Sequence, residues 1–367
     1  MRYDLAKLPI ATLFAPVCSA TAALTRLDER IARSALRDGW IARSHFGDAV
    51  ASLWVDGELV HLEDLVLHDA GMGVRAPTHE LTIAHDVLRT RRRILANEPA
   101  WALGNDGVLR GRMADTPAVA GMATTAGSHD GLDEDHDDED EDDALTKQLA
   151  EMDAVLARSD ALLSGVKEPM RVTGRDRNAF VYEPDWDEDG RLDEWRCVLT
   201  ETEDLPPVLR AALLLDAWGQ LQVLQHAPWL GRMLAGALLR ETGTCMSHLV
   251  AVNLGLKQVQ RERRSSRDRD TRLLAFVDAF KVAAESGLKE HDRLLLARQQ
   301  MQHRLAGRRT SSKLPQLIDL VLARPMVSAG MIAEELDVTP QGALKIAAAL
   351  SLRELTGRGR FRAWGVL

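Results

Sequence analysis

Residues 313–367 carry the sequence pattern that most restricts the fold of this chain. Three short stretches of apolar residues recur there at helical spacing, and Pro325 and a two-residue link separate them. Thr339 followed by Pro340 predicts the start of the third helix, because threonine is a good N-cap and proline at the first helical position loses no hydrogen bond. The apolar residues of this third helix are Ala343, Ile346 and Leu350.

Three helices in this order resemble a helix-turn-helix, and residues 357–362 resemble the Gly-rich, basic hairpin of a winged helix. The resemblance implies that the third helix enters the major groove of double-stranded DNA, where its N-terminal residues reach base edges. The polar residues predicted for that contact are Thr339, Gln341 and Lys345, and those predicted for the phosphates or the minor groove are Arg358, Arg360 and Arg362. An alternative stays open, in which the winged helix docks another protein and these polar residues only face solvent.

The acidic charge of the chain is concentrated in one run, residues 133–143. This run has ten acidic side chains in eleven residues, and removing them changes the net charge from −9 to +1. Residues 257–313, in contrast, hold fifteen Lys and Arg against seven Asp and Glu. The acidic balance therefore does not exclude nucleic-acid binding.

The segment 112–143 is predicted to be a disordered acidic linker, because it is poor in apolar residues and dense in like charge. Two interpretations of the loop 133–143 stay open. It is either a flexible, solubilising loop, or a tethered polyanion that folds back on the basic clusters at residues 89–93 and 261–272 and competes with DNA.

The rest of the chain is predicted to be mainly helical. Apolar spacing indicates an N-terminal helical region over 1–111, with a helix break near Gly39, and a central helical domain over 144–310. Within the central domain, the turn dipeptide Asp189-Gly190 and its β-prone flanks predict a β-hairpin near 180–198. The winged helix-turn-helix then occupies 311–367.

Residues 205–243 are similar to the central helix-loop-helix of Fic-domain proteins, in which a His-Pro-Phe, an acidic residue and Gly-Asn-Gly-Arg link two helices. The matching residues here are His226, Trp229 and Gly231-Arg232. The resemblance implies that His226 and Arg232 would be the catalytic residues of a nucleotidyl transferase. The acidic metal ligand and the phosphate-binding Gly-Asn pair are missing here, so that a degenerate, Fic-like pseudoenzyme is the nearer implication.

Two more features of the chain resemble parts of Fic proteins. The predicted hairpin at Asp189-Gly190 would stand where that family has its substrate flap. The residues Ser52, Asp56 and Gly57 resemble the family's inhibitory Ser-x-x-x-Glu-Gly helix, with aspartate in place of glutamate.

The whole chain also resembles proteins of rhizobia and related bacteria, often plasmid-borne, that join a domain of unknown function to a C-terminal helix-turn-helix. The residues that carry this likeness are 58–71, 79–94 and the C-terminal end. The resemblance implies a DNA-binding protein and supplies no catalytic residue.

Motifs for metals, disulfides and membranes are weak in this sequence. Residues 185–190 resemble half of a calcium loop, but the position of its bidentate glutamate holds Arg196. His79 and His85 are too far apart for a zincin, and the three cysteines form no CxxC pair. Pro9 and Pro16 interrupt the apolar N-terminus, which argues against a signal peptide and a membrane span. We therefore expect a cytoplasmic protein with no metal site and no cofactor.

Taken together, the residues favour a non-enzymatic, DNA-binding transcription regulator. Its partner would be double-stranded DNA, and a homodimer would suit a palindromic operator. The alternatives that stay open are a divergent Fic-type nucleotidyl transferase and a pseudoenzyme that serves as a protein-interaction scaffold.

Overall fold

A computed structural model describes residues 3–72, 76–104, 107–109, 186–305, 313–350, 352–355 and 362–366. The helices are α1 Ile10–Ala32, α2 Arg37–Asp56, α3 Leu62–Asp69, α4 His79–Ala96, α5 Glu188–Glu201, α6 Pro207–Leu221, α7 Trp229–Glu241, α8 Val252–Gln258, α9 Arg261–Arg264, α10 Arg269–Leu305, α11 Leu314–Ala323, α12 Ala329–Leu336 and α13 Pro340–Ala349. The strands are β1 Val327–Ser328, β2 Arg353–Glu354 and β3 Ala363–Gly365. The mainly α fold is confirmed. The predicted linker, 112–143, lies outside the described residues.

The 37-residue helix α10 is the axis of the fold. Helices α1 and α8 pack along it, while α6 and α7 pack against each other beside it. Helix α7 is buried at nearly every position, because apolar and small residues surround its whole circumference. The buried side chains form one continuous hydrophobic cluster that extends into the C-terminal helices.

Helix α1 is the one helix among the described residues that is long and apolar enough to cross a membrane. In the fold, however, its apolar stripe packs against α10 and faces the core. Its last turns carry Asp28 and Arg30, which bind Ser247 and Asp292 of the folded body. The helix therefore packs on the body as an amphipathic helix with one buried face.

The break between α1 and α2 lies at residues 33–36, so that the prediction of a break near Gly39 is wrong. Gly39 lies inside α2, where a Cβ atom would stand 2.3 Å from the carbonyl oxygen of Leu322. The glycine thus allows α11 to approach the backbone of α2 closely, which is a tertiary requirement that the local sequence does not reveal.

The predicted β-hairpin near 180–198 is wrong for the described residues 186–198, which form most of α5. The Asp187 carboxylate accepts a hydrogen bond from the Gly190 backbone N–H at 2.9 Å and so caps the helix. Leu192, Trp195 and Val198 follow at spacings of three and form the buried face. The Asp-Gly pair therefore belongs to a helix start and not to a strand connection. Residues 180–185 lie outside the described residues.

A buried polar cluster joins α2, α4 and α8. The Asp48 carboxylate accepts hydrogen bonds from the Arg91 guanidinium at 2.5 Å, the Asn253 amide at 2.8 Å and the Leu254 backbone N–H at 3.0 Å. The Arg91 guanidinium also donates to the backbone carbonyls of Leu249 and Val250. Three helices are thus held in register by polar groups that are fully removed from water.

Candidate nucleic-acid interface

Helices α11 to α13 and the three strands form a compact unit at the C-terminal end of the chain. The strands make an antiparallel sheet in the order β1-β3-β2, with Val327 opposite Trp364 and Arg353 opposite Gly365. The order helix, strand, helix, helix and two paired strands is that of a winged helix-turn-helix. The predicted organisation of residues 313–350 into three helices is confirmed.

The tight turn between α12 and α13 is built by Asp337 and Val338. Asp337 adopts a left-handed conformation with a φ of 48°, which aspartate tolerates better than most residues. The Val338 backbone N–H donates to the Ala333 carbonyl at 3.0 Å. The Lys313 ammonium group donates to the carbonyl oxygens of Leu336 and Asp337, so that this cation closes the end of α12.

Side-chain caps fix where the two helices of the motif begin. The Ser328 hydroxyl accepts from the Met331 N–H at 3.2 Å, and the Thr339 hydroxyl accepts from the Gly342 N–H at 3.1 Å. Pro340 occupies the first turn of α13, as the sequence predicts. Since its hydroxyl oxygen caps α13, Thr339 has a structural role there, and its predicted contact with DNA stays a prediction.

The outer face of α13 presents a narrow polar stripe. Gln341, Lys345 and Ala348 are exposed, whereas Ala343 and Ala347 are buried against the rest of the domain. Within the described part of the chain, the side chains of Gln341 and Lys345 form no hydrogen bond and no ion pair. This face therefore holds a donor and acceptor amide, a cation and a methyl group that could all meet base edges.

The base of the wing holds one paired and one unpaired arginine. The Arg362 guanidinium donates to the Glu354 carboxylate at 2.7 and 2.9 Å and lies 5.5 Å from the centre of the Trp364 ring. Arg353 on β2 is exposed and makes no ion pair with any described residue. Sequence reasoning missed Arg353, because a two-residue strand is too short to show a period. The predicted wing residues Arg358 and Arg360 lie outside the described residues.

Two family models match segments of the second half of the chain. Residues 314–367 match a family described as an HTH DNA-binding domain, and residues 180–306 match a family described as protein of unknown function (DUF1612). An uncharacterized protein, y4cF, of Sinorhizobium fredii (strain NBRC 101917 / NGR234) is 53% identical over 380 residues, which span the full length of both chains. The chain belongs to the same family as this protein, and it contains a DUF1612 segment. The predicted likeness to a rhizobial protein is confirmed, and so is the predicted C-terminal helix-turn-helix of this chain.

The residues on which the predicted resemblance to Fic proteins rests lie partly in α2 and partly in the matched segment 180–306. The Arg232 guanidinium on α7 donates to both oxygens of Asp56, at 2.8 and 2.5 Å, and to the Ser52 hydroxyl at 3.0 Å. The exposed His226 precedes α7, and its Nδ1 lies 3.6 Å from a Glu188 carboxylate oxygen. The structure thus brings together Ser52, Asp56 and Arg232. These partners occupy both terminal nitrogens of Arg232 and leave its buried Nε without a partner among the described residues.

The two basic clusters of this DUF1612 protein serve mostly internal contacts. In residues 89–93, the Arg91 guanidinium is fully buried, and that of Arg92 donates to Asp69 at 2.6 and 2.9 Å. In residues 261–272, the Arg272 guanidinium donates to the buried Asp216 at 2.6 Å, and that of Arg269 donates to N-terminal backbone carbonyls. These charges tie distant segments together, which leaves few of them for phosphate contacts.

Among the described residues, Asp28, Cys245 and His248 form a group close enough to hold a metal ion. The His248 Nδ1 lies 3.0 Å from Asp28 Oδ1, which also accepts from the Ser247 N–H and hydroxyl. Burial acts to raise the pKa of Asp28, but these hydrogen bonds outweigh it and lower the pKa to about 2. Burial raises the pKa of the Cys245 thiol far above its usual range. The Asp28 carboxylate is therefore satisfied by hydrogen bonds from its neighbours, and the protonated thiol of Cys245 is a poor metal ligand.

Proposed function

We propose that this DUF1612 protein is a cytoplasmic transcription regulator that reads double-stranded DNA through α13 and has no enzymatic activity. The observation that carries the proposal is the polar stripe of Gln341, Lys345 and Ala348, which is exposed and has no internal partner for its polar groups among the described residues. A helix of ten residues is long enough to lie in the major groove. The match of residues 314–367 to an HTH DNA-binding domain supports the same proposal.

The charges around the stripe favour DNA over a protein partner. Lys345 and Arg353 are unpaired cations in the described part of the domain, and the sequence adds Arg358 and Arg360 between β2 and β3. Binding should therefore weaken steeply with salt, because each phosphate contact releases a counterion. A protein-docking role would instead favour an apolar, weakly charged face over Gln341.

A homodimer would fit this function, because helix-turn-helix proteins commonly read palindromic sites through two copies. The two recognition helices would then contact half-sites about 34 Å apart along one face of the duplex. Light scattering of the protein with and without its operator would test this proposal. A complex that holds one chain on a single half-site would contradict it.

The decisive experiment first measures the binding of the full chain to a random-sequence duplex at low salt by fluorescence anisotropy. Genome-wide mapping of bound sites in the native host then supplies the operator, whose affinity is compared with that of the random duplex. We expect binding to both, with a preference of about a thousandfold or more for the operator. If the protein binds no duplex above background at low salt, the proposal is wrong.

A second candidate function, nucleotide transfer, is favoured by the meeting of Ser52, Asp56 and Arg232, the residues singled out by the resemblance to Fic proteins. In this arrangement, Arg232 is held by Asp56 and has little capacity left for a phosphate. The Asp56→Ala variant releases Arg232, so this candidate function requires that the variant transfers label from ATP. It also requires that the double variant Asp56→Ala/His226→Ala transfers none. If calorimetry shows no nucleotide binding to either the wild type or Asp56→Ala, the chain is not a transferase.

A further inference from the structure

A partly enclosed cavity of about 310 Å³ lies where the helical body meets the winged helix. Its wall on the body side includes Trp40 and Ala284, and its wall on the winged-helix side includes Pro325, Leu355 and Val366. The volume is at the lower end of the roughly 300–1,000 Å³ that is usual for small-molecule sites. Most of the lining is apolar, which suits a ligand with a small hydrocarbon or aromatic body.

Arg43 places a buried positive charge in the cavity wall. Its guanidinium donates to the backbone carbonyls of Val321 at 2.7 Å, Val366 at 3.3 Å and Leu322 at 3.4 Å, and it makes no ion pair with the described residues. Burial lowers the pKa of Arg43 to about 10, so the group stays charged at neutral pH. A buried cation whose partners are neutral carbonyls favours an anion beside it, because charges removed from water need a counter-charge.

The two other charged residues of the cavity, Glu290 and Arg293, act on the pKa of Arg43 in opposite directions. Glu290 and Arg293 also line the cavity and form an ion pair with each other. The Arg, Lys, Asp and Glu side chains of the lining therefore carry one net positive charge. This balance distinguishes the cavity from an apolar packing defect, in which no charge would be placed.

Two further polar atoms of the lining residues lack a partner among the described residues. These atoms are Nε2 of His248, whose side chain is almost fully buried, and the hydroxyl oxygen of Ser44. The contact of His248 Nδ1 with the Asp28 carboxylate assigns the Nδ1 proton, since the carboxylate accepts. With this proton on Nδ1, Nε2 is an acceptor, and the Ser44 hydroxyl is the orphan that can donate to an anion. Buried polar groups are nearly always satisfied, so an orphan hydroxyl donor beside an unpaired arginine points to a missing acceptor ligand.

We propose that this cavity binds a small amphipathic carboxylate and that occupancy couples the helical body to DNA binding. The carboxylate would pair with Arg43, and its oxygens would accept from the Ser44 hydroxyl, while the apolar body would pack against Trp40 and Ala284. Arg43 already bridges the body to α11 and to the residue after β3, so a ligand at this point would act on the position of the wing. Only the coupling to DNA rests on the proposed function, whereas binding of the carboxylate does not.

The first experiment measures ligand binding to the full chain without DNA. Octanoate and 4-phenylbutyrate serve as probes, and octanamide and 4-phenylbutanamide serve as neutral controls of the same shape. We expect calorimetry and thermal shift to show at least one carboxylate binding about tenfold or more tightly than its amide, which corresponds to about 1.4 kcal/mol. If neither carboxylate binds at about 5 mM, or if the amides bind equally well, the proposal is wrong.

Two variants locate the site. Ser44→Leu fills the cavity and removes an unsatisfied hydroxyl, so it should keep or raise the melting temperature and weaken the carboxylates about tenfold or more. Arg43→Met should bind carboxylate and amide equally. Should Arg43→Met fail to fold, Ser44→Leu still decides, because unchanged carboxylate binding in that folded variant would overturn the site.

The second experiment measures coupling through duplex affinity in the presence and absence of a binding carboxylate. We expect a shift of about fivefold or more in wild type and none in Ser44→Leu. Linkage requires the duplex to change carboxylate affinity by the same factor, which provides an internal check. Binding of the carboxylate without a shift would overturn the coupling and leave the site in place, whereas failure of the duplex to bind at all would overturn the proposed function instead.

Discussion

The Arg362 guanidinium is paired with the Glu354 carboxylate across the base of the wing, at 2.7 and 2.9 Å. The pair holds β2 and β3 together, and the hydrogen bond to Glu354, together with the negative charge of that carboxylate, raises the pKa of Arg362. It also places a carboxylate beside the face that would approach DNA. The Glu354 carboxylate should therefore weaken the binding of phosphates by the wing, both by occupying Arg362 and by repelling the phosphate charge.

Replacing Glu354 with glutamine should tighten binding to every duplex. The change keeps the shape of the side chain, releases Arg362 to bind a phosphate and removes a repelling charge. We expect the slope of log affinity against log salt to steepen by about 0.9 for each additional phosphate that the wing neutralises. Glu285→Gln, which removes the partner of Lys281 on α10, is the matched control and should leave affinity unchanged. Equal affinity of Glu354→Gln and wild type would show that the wing does not meet the phosphates.

Gln341 and Lys345 should determine sequence preference, whereas the wing arginines should not. Gln341→Ala and Lys345→Ala are expected to reduce the preference for the operator over a random duplex by about 1–3 kcal/mol each. Arg353→Ala and Arg360→Ala should weaken all sequences by about the same factor. Anisotropy titrations with both duplexes separate the two effects. The control is Lys289→Ala, which removes one positive charge from α10. If this variant also lost its preference for the operator, the assignment of sequence preference to Gln341 and Lys345 would be wrong.

Local signals in the sequence predict the local features of the recognition domain. Thr339 and Pro340 mark the start of α13, because a cap and a first-turn proline depend only on their neighbours in the chain. The same local rule fails at Asp189-Gly190. There, the helical spacing of Leu192, Trp195 and Val198 prevails over a turn dipeptide, since burial of this face stabilises the helix more than a turn preference opposes it.

Features that depend on distant residues could not be predicted. The sequence places Arg91 in a basic cluster, yet its partners lie 43 and 159 positions away, in Asp48 and Val250. The local pattern makes Gly39 a helix break, but its role depends on the approach of Leu322. Likewise, the cavity around Arg43 is formed by elements from both ends of the chain, and no single stretch of sequence carries its pattern.

Deleting residues 133–143 should raise duplex affinity at low salt, if this acidic run competes with DNA. A tethered polyanion acts at high effective concentration, and its effect should fade as salt screens the charges. The comparison is with a variant in which the ten acidic residues of the run become Asn and Gln, so that length is kept. Unchanged affinity in both variants would leave the run as a solubilising loop.

Asp48→Asn should destabilise the fold strongly. The substitution leaves the fully buried Arg91 guanidinium without its only charged partner among the described residues and so exposes the cost of an uncompensated buried cation, about 3–5 kcal/mol. Urea denaturation followed through circular dichroism measures this loss. The control is Asp292→Asn, whose ion pair with Arg30 is solvent-exposed and should contribute no more than about 1 kcal/mol. Similar losses in both variants would show that the buried pair contributes little.

The stability of the fold should fall as pH decreases below about 6.5, and His45 should account for part of the decrease. Burial, together with the positive charge of Arg91, holds the pKa of His45 well below its usual value. Between the lowered folded-state pKa and the usual value of about 6.5 in the unfolded chain, the unfolded state binds a proton that the folded state excludes. Unfolding free energy is thus unaffected by His45 above this range and decreases within it by up to about 1.4 kcal/mol per pH unit.

Urea titrations between pH 8 and pH 5 test the role of His45 through the His45→Gln variant. Glutamine does not titrate and keeps an acceptor for the Arg91 Nε–H, which His45 Nδ1 accepts at 3.3 Å. The variant should therefore lose stability less steeply with decreasing pH than the wild type, even if it is less stable at pH 8. The contribution of Asp28 does not interfere, because its lowered pKa of about 2 places its loss of stability below about pH 4. Parallel curves for variant and wild type would show that His45 exchanges no proton on unfolding in this range.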